Sequence, residues 1–135
     1  MKVYAIAPEV VDTVWDDVKG YIQGALKHSP PTHTLEDVRL ELVEGRTRLW
    51  VISDEKRAYG AAVAGIQIYP QIKTCRVMWV GGEKMNKWIR ELIKQLDIFA
   101  IQNDCPGAEA IGRKGWLRIW GSQDFGMLIY RRIYG

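Results

Sequence analysis

The feature that most constrains the fold is a change of hydrophobic period at Gly81-Gly82. Before these glycines, residues 73–80 form a nearly continuous apolar run, which is typical of a strand in the centre of a sheet. After them, apolar side chains recur every three or four residues, which predicts a long amphipathic helix. The residues of that stripe are Met85, Trp88, Ile89, Leu92, Leu96, Phe99 and Ala100. Strands and helices are therefore expected to pack on each other in this chain.

Two further helices are expected before this unit. The first opens at Pro8, because proline and a following acid suit the first turn of a helix. The second has Thr34 as its N-cap and ends at Gly45, which fits the left-handed residue after a helix. Their apolar stripes are Val10, Val11, Val14, Trp15, Val18, Ile22, Ala25 and Leu26 in the first, and Leu35, Val38, Leu42 and Val43 in the second.

The strand pattern completes an α/β (α+β) order. Alternating or apolar runs predict a first strand, then a three-strand meander, then two later strands separated by a short helix. The predicted strands are residues 2–7, 47–53, 59–69, 73–80, 108–112 and 127–134, and the short helix is 113–120. We expect residues 1–135 to form a single domain whose central, mostly antiparallel mixed sheet is flanked by helices.

Composition excludes several classes of protein. No apolar run approaches the roughly 20 residues that cross a bilayer, and the first residues lack a signal peptide's apolar stretch. No membrane partner and an intracellular location are therefore expected. Cys75 and Cys105 are too few for a disulfide scaffold and should be reduced thiols. His28 and His33 give too few ligands for zinc, so no metal is predicted.

Charge is divided unevenly along the chain. Residues 1–46 carry a net charge of −3 and residues 47–135 a net charge of +6. A basic half suits a phosphate-bearing ligand, a nucleic acid or an acidic partner. No recognised nucleic-acid-binding motif accompanies the charge, so nucleic acid is not the expected partner.

Three segments resemble the GNAT fold, that of the Gcn5-related N-acetyltransferases. Residues 77–85 are similar to that family's strand, pyrophosphate loop and helix start, and residues 96–111 to its helix end and next strand. Residues 112–125, which include Gly112-Arg113-Lys114-Gly115-Trp116, resemble the end of small GNAT-like proteins of phages and prophages. The order of the predicted elements matches the same fold.

The resemblance implies a site for acetyl-CoA at the glycine break. In the family, backbone N–H groups at the start of the helix bind the pyrophosphate, where the helix dipole favours negative charge. The residues that occupy this position are Val80, Gly81, Gly82, Glu83, Lys84, Met85 and Lys87. The two lysines add positive charge there, whereas Glu83 adds an anion.

The resemblance also implies a tyrosine acid before the last strand. Trp120 stands at that position and cannot donate a proton to a leaving thiolate. Tyr130 on the last strand is the candidate substitute, although packing in the core is its alternative role. Cys75 alternates with Val77 and Trp79 on one strand and is expected to be a buried apolar residue rather than a nucleophile.

Two functions are consistent with these observations. The first is an acetyl-CoA-dependent N-acetyltransferase with a degenerate CoA loop, whose partner is a CoA-type ligand. The second is a non-catalytic GNAT-like structural or interaction protein, with a protein partner in a phage particle. The expected location is the cytoplasm of a host cell or the virion, and nothing in the sequence indicates the oligomeric state.

Overall fold

The computed structural model describes residues 1–111, 123–125 and 128–134. Its helices and strands follow the order that the sequence predicts, with one strand added near the end. The helices are α1 (Val11–Leu26), α2 (Leu35–Val43) and α3 (Ile89–Gln102), with short 3-10 turns at Pro8–Val10 and Met85–Lys87. The strands are β1 (Lys2–Ile6), β2 (Thr47–Ser53), β3 (Ala58–Ile68), β4 (Lys73–Gly82), β5 (Gly107–Ile111), β6 (Gln123–Phe125) and β7 (Leu128–Arg132).

The described strands form one mixed sheet in the order β1-β2-β3-β4-β5-β7-β6. The pair β4 and β5 is parallel, and the other neighbouring pairs are antiparallel. A parallel pair needs a crossover connection, and α3 supplies it between β4 and β5. The expected mostly antiparallel mixed sheet flanked by helices is confirmed.

The core has two layers, one on each face of the sheet. On one face, α3 packs Leu92 and Leu96 against Trp50 of β2 and Val77 of β4. On the other face, α1 and α2 cover apolar side chains of β2, β3 and β4, including Trp79. Both faces of the meander are therefore covered, which explains why β3 and β4 read as almost continuous apolar runs.

Side-chain and backbone caps set the ends of α2. The Thr34 hydroxyl accepts a hydrogen bond from the Asp37 N–H at 3.1 Å, and the Asp37 carboxylate accepts one from the Thr34 N–H at 2.8 Å. This reciprocal arrangement is a capping box, and it confirms the predicted N-cap. At the other end Gly45 has φ 77°, and the Arg46 N–H donates to the Glu41 carbonyl, as in a Schellman motif.

Four details of the sequence prediction are wrong. Gly81 and Gly82 do not break the strand, because β4 continues through them in register with β3. The α-helix after them begins at Ile89, since Lys84 is left-handed and a 3-10 turn precedes the helix. Val10 and Val43 are 39% and 37% exposed, so they do not belong to buried stripes. Strand β6 was not predicted, and the short helix predicted over 113–120 lies outside the described residues.

No helix among the described residues is long and apolar enough to cross a membrane. Cys75 and Cys105 are free thiols without exposed surface. Cys75 packs in the α3-side core, which confirms the prediction that it is a buried apolar residue. Burial raises the pKa of Cys75 to about 12, so the thiol stays protonated and is not a nucleophile at neutral pH.

Candidate functional site

A bulge interrupts β4 close to the middle of the sheet. Val77 pairs with Ala64 and Trp79 pairs with Val63, so Met78 is an extra residue in β4. Met78 and Trp79 both pack toward α1 and α2, whereas Val77 packs toward α3. A bulge bends its strand and strengthens the local twist. The second half of β4 therefore takes a different direction from the first.

Beyond the bulge, no strand of the described part of the chain pairs with β4 on its β5 side. Its parallel pairing with β5 runs from Thr74–Gly107 to Val77–Ala110, whereas β4 itself continues to Gly82. Within the described residues, no strand pairs with residues 78–82 on the β5 side. Among the described residues, the backbone N–H and C=O groups of that stretch on the β5 side therefore have no strand partner. We call residues 78–82 the open segment of β4.

The turn after the open segment presents backbone donors. Lys84 has φ 54°, and the following 3-10 turn closes when the Lys87 N–H donates to the Lys84 carbonyl at 2.9 Å. In the described part of the chain, the N–H groups of Lys84, Met85 and Asn86 donate to no protein acceptor. Successive free N–H groups beside a left-handed residue form a concave site that attracts anions. Lys84 and Lys87 are both exposed and add positive charge to this turn.

The glycines before this turn are required by packing. A Cβ at Gly81 would lie 2.3 Å from the Tyr21 carbonyl oxygen of α1, and one at Gly82 would lie 2.4 Å from the Tyr59 carbonyl oxygen. The Trp88 indole also lies against Gly60 and Gly82, and its Nε1–H donates to the Glu83 carbonyl at 2.7 Å. The two glycines therefore let helix, strands and indole approach closely.

Glu83 does not leave an unbalanced anion at the turn. Its carboxylate accepts hydrogen bonds from the Tyr21 hydroxyl and from the Arg57 guanidinium, each at 2.5 Å. The hydrogen bond from Tyr21 and, to a smaller extent, the hydrogen bond from Arg57 lower the pKa of Glu83 below its usual range. Arg57 also lies over the Tyr59 ring at 4.2 Å, and the Lys84 ammonium lies 5.2 Å from the same ring. The carboxylate thus faces a cation of its own chain.

A buried carboxylate lies beside the point where β4 and β5 separate. Glu109 of β5 is 2% exposed and pairs with Arg76, one position before the last β4–β5 pair. Its carboxylate accepts hydrogen bonds from the Tyr69 hydroxyl at 2.7 and 2.9 Å and from the Thr74 hydroxyl at 2.8 Å. The hydrogen bonds from these two hydroxyl groups fix the orientation of the Glu109 carboxylate.

Sequence reasoning missed Glu109. The signal was a single acid within the otherwise small and apolar strand Gly-Ala-Glu-Ala-Ile. A charged residue at an interior strand position is rare unless it is hydrogen-bonded or functional. Its partners Tyr69 and Thr74 lie 40 and 35 positions away in the chain, so no local sequence pattern predicts these contacts.

The other predicted residues lie as follows. Val80 lies in the open segment and is half-buried against the α3-side core. Tyr130 of β7 pairs with Glu109 of β5, so the two residues lie next to each other on neighbouring strands. The Trp120 position and the segment 112–122 lie outside the described residues. The binding roles of residues 80–87 stay predictions.

The two histidines do not form a metal centre. His33 lies edge-on to Trp79 with 4.9 Å between ring centroids, and its Nε2 lies 3.0 Å from a Glu41 carboxylate oxygen. Within the described residues, no three His, Cys, Asp or Glu side chains lie together as metal ligands. The contact with Trp79 instead joins the α1–α2 connection to β4, next to the bulge.

A shallow depression lies away from the turn, between α3 and the β1–β2 edge. Its volume is about 310 Å³, and it is lined mainly by Arg48, Trp50, Gln95, Phe99 and Gln102. None of the sequence-predicted site residues and none of the Glu109 partners line it. The open segment and its turn therefore remain the candidate site.

Comparisons with known proteins agree on the fold. No protein-family model and no curated protein sequence matches the chain. Among solved structures, an N-acetyltransferase of Staphylococcus aureus Mu50 has a TM-score of 0.70 and 12% identity, over 98% of this chain and 97% of that one. The PaiA N-acetyltransferase of Thermoplasma acidophilum, in complex with coenzyme A, has a TM-score of 0.65 and 9% identity, over 98% and 99%.

A predicted acetyltransferase of Clostridium acetobutylicum, in a structure with acetyl-CoA, also aligns with the chain. It has a TM-score of 0.67 and 11% identity, over 91% of this chain and 90% of that one. These likenesses define the class of fold: the chain has the GNAT fold of N-acetyltransferases. At this level of identity the likeness concerns architecture and does not extend to activity.

Proposed function

We propose that the protein is an N-acyltransferase that transfers the acetyl group of acetyl-CoA to an amine. The observation that carries this proposal is the open segment of β4, whose hydrogen-bonding groups on the β5 side meet no strand among the residues that the structure describes. Extended ligands with amide groups bind such a strand by completing its hydrogen bonds. The pantetheine arm of CoA is an extended chain with two amides.

The turn at residues 83–87 fits the phosphates of the same ligand. The N–H groups of Lys84, Met85 and Asn86 are unpaired in the described chain, and Lys84 and Lys87 supply charge. Donors of this kind bind phosphate without further side chains. The anion of Glu83 does not oppose the fit, because Arg57 and Tyr21 hold its carboxylate. Acetyl-CoA would supply an acyl group that is activated as a thioester.

Glu109 is the proposed general base. An attacking amine must lose a proton as its new bond to the acyl carbon forms, and a nearby carboxylate can accept it. Glu109 is buried beside the separation of β4 and β5, and two hydroxyl groups orient its carboxylate. Tyr130, its register partner on β7, is proposed as the group that returns a proton to the departing thiolate.

Isothermal titration with acetyl-CoA and CoA tests the proposal. We expect saturable heat for both ligands, and slow acetylation when a panel of small amines is added with acetyl-CoA. Adenosine, which lacks both the phosphates and the pantetheine arm, is the control and should give no heat. The absence of heat at millimolar acetyl-CoA would contradict the proposal.

A second candidate function is a non-catalytic component of a phage particle. One observation favours a chain without a ligand at this turn: Tyr21, Tyr59 and Trp88 pack so closely against Gly81 and Gly82 that neither position has room for a side chain. The glycine pair therefore has a structural reason without any ligand. Recovery of the chain at fixed stoichiometry from purified virions would support this function, and turnover by the free protein would refute it.

A further inference from the structure

A network of side chains connects three elements at the end of the open segment. Tyr21 comes from α1, Arg57 from the turn between β2 and β3, and Glu83 from the turn after β4. The Glu83 carboxylate is their common acceptor. The Tyr21 hydroxyl also lies 3.1 Å from the Ala58 carbonyl, so it reaches the same hairpin as Arg57.

Hydrogen bonds of the Glu83 backbone also hold the same turn. The Glu83 N–H donates to the Tyr59 carbonyl at 2.7 Å, and the Glu83 carbonyl accepts from Trp88 Nε1–H at 2.7 Å. Glu83 is thus held through its N–H, its carbonyl and its carboxylate. The next residue, Lys84, has a left-handed backbone, and successive N–H groups beside such a residue form an anion-binding concavity; in the described part of the chain those of residues 84–86 meet no protein acceptor. Left-handed backbone is unfavourable for lysine, so it persists only where its surroundings impose it.

We propose that Glu83, with Arg57 and Tyr21, is a positioning residue that holds the turn at residues 84–87 in its phosphate-binding conformation. This inference rests on the proposed function, because it assumes that the turn binds the phosphates of an acyl-CoA. Glu83 contacts neither phosphate nor acyl group; it acts through the backbone of the residues that follow it.

A positioning role and a purely electrostatic role of Glu83 predict opposite changes in the affinity for an anionic ligand. If Glu83 were only an anion near a phosphate site, removal of its charge would tighten the binding of an anionic ligand. If Glu83 orders the turn, removal of its charge loosens the turn and weakens binding. The sign of the change therefore separates a positioning role from a mere charge effect.

The test compares Glu83→Gln and Tyr21→Phe with Glu55→Gln. Glu55 is an exposed carboxylate at the tip of the β2–β3 turn, outside the network, so its substitution removes the same charge nearby. We expect Glu83→Gln to weaken the binding of CoA about fivefold, which is the size expected for the loss of one hydrogen bond of ordinary net strength. Tyr21→Phe should act in the same direction, and Glu55→Gln should leave binding unchanged or tighten it.

In an acetylation assay, the effect of Glu83→Gln should fall on the KM for acetyl-CoA and leave kcat unchanged. Such a split indicates lost ground-state binding rather than lost chemistry. Tighter binding of CoA by Glu83→Gln would overturn the proposal.

A measurement on the ligand-free protein separates this proposal from the proposed function. Backbone amide hydrogen exchange at residues 87 and 88 reports the order of the turn, since the Lys87 N–H is bonded to the Lys84 carbonyl and the Trp88 N–H to the Met85 carbonyl. Glu83→Gln and Tyr21→Phe should exchange faster there, and Glu55→Gln should not. Unchanged exchange in both network variants would overturn the positioning role. Faster exchange in both network variants, together with a wild-type protein that binds no CoA, would refute only the proposed function.

Discussion

At the scale of single residues, Glu109 shows how a buried charge is retained. A carboxylate loses its hydration when it is buried, and this cost is offset only if hydrogen bonds replace the water. Tyr69 and Thr74 supply those bonds, and the bond to Glu109 raises the pKa of Tyr69. The Tyr69 hydroxyl therefore stays protonated and remains a donor throughout the neutral range. Two donors on one carboxylate orient it more firmly than packing alone would do.

Glu109→Gln tests the catalytic role of this carboxylate. The amide keeps the volume and one acceptor oxygen but cannot take a proton, so kcat should fall by a factor of about 10² or more. Thermal unfolding should change little, because the two hydroxyl groups can still donate to the amide oxygen. Tyr69→Phe is the control that removes an orienting donor and should cost less activity. Wild-type kcat in Glu109→Gln would rule out Glu109 as the base.

At the scale of secondary-structure elements, α1 and β4 approach each other through backbone atoms. The Tyr21 carbonyl lies where a Cβ of residue 81 would be, so the contact tolerates only glycine in the strand. Two other glycines, Gly20 and Gly24 of α1, have no heavy atom within 4 Å of a built Cβ. Glycine in the interior of a helix costs stability because it leaves the unfolded chain more freedom. The same residue type is thus necessary in one element and unfavourable in the other.

Alanine substitution of these glycines should act with opposite signs. Gly81→Ala forces helix and strand apart and should lower the free energy of unfolding by about 2 kcal/mol or more. Gly20→Ala should raise it by about 0.5–1 kcal/mol, because nothing obstructs the new methyl group. Urea denaturation followed by circular dichroism measures both. Equal stability of Gly81→Ala and the wild type would mean that α1 and β4 are farther apart than described.

The elements could be predicted from the sequence because their signals are local. Periodicity placed the helices and strands, and Thr34 and Gly45 announced the ends of α2. The end of β4 could not be predicted, because a glycine pair reads as a break unless the elements packed on it are known. Local patterns also do not reveal the network at Glu83 or the partners of Glu109. The contacts of Glu83 join residues that are 26 and 62 positions apart in the chain, and those of Glu109 join residues that are 35 and 40 positions apart.

At the scale of the whole molecule, the bulge at Met78 lies where the pairing of β4 with β5 ends among the described residues. The antiparallel strands β1–β4 and the strands β5–β7 are joined through the pairing of Thr74–Val77 with Gly107–Ala110. A regular β4 would continue in the direction of that pairing, whereas the bulged strand bends at its end. The extra residue thus separates two parts of the sheet at the position of the candidate site.

Deletion of Met78 tests this account. Val77 and Trp79 already face opposite sides and pair with the consecutive residues Ala64 and Val63, so removal of Met78 leaves every other side chain on its present face. We expect the protein to fold and the affinity for CoA to fall about tenfold or more, since the straightened strand can no longer offer its unpaired groups.

Met78→Ala is the matched control, because it keeps the bulge and removes only a half-buried side chain. It should bind CoA as the wild type does. Isothermal titration measures both variants, and the far-ultraviolet circular dichroism spectrum checks their folding. Undiminished CoA affinity in the deletion variant would show that the bulge does not create the site.

The two buried thiols determine how this chain can be assayed. Cys75 and Cys105 are the only cysteines in the sequence, and neither has exposed surface. A colorimetric thiol reagent reacts with exposed thiolates, so the folded protein contributes almost no signal of its own. The free thiol of released CoA can then be read directly in the presence of the protein. The same reagent reports unfolding, because both cysteines become reactive only when the core opens.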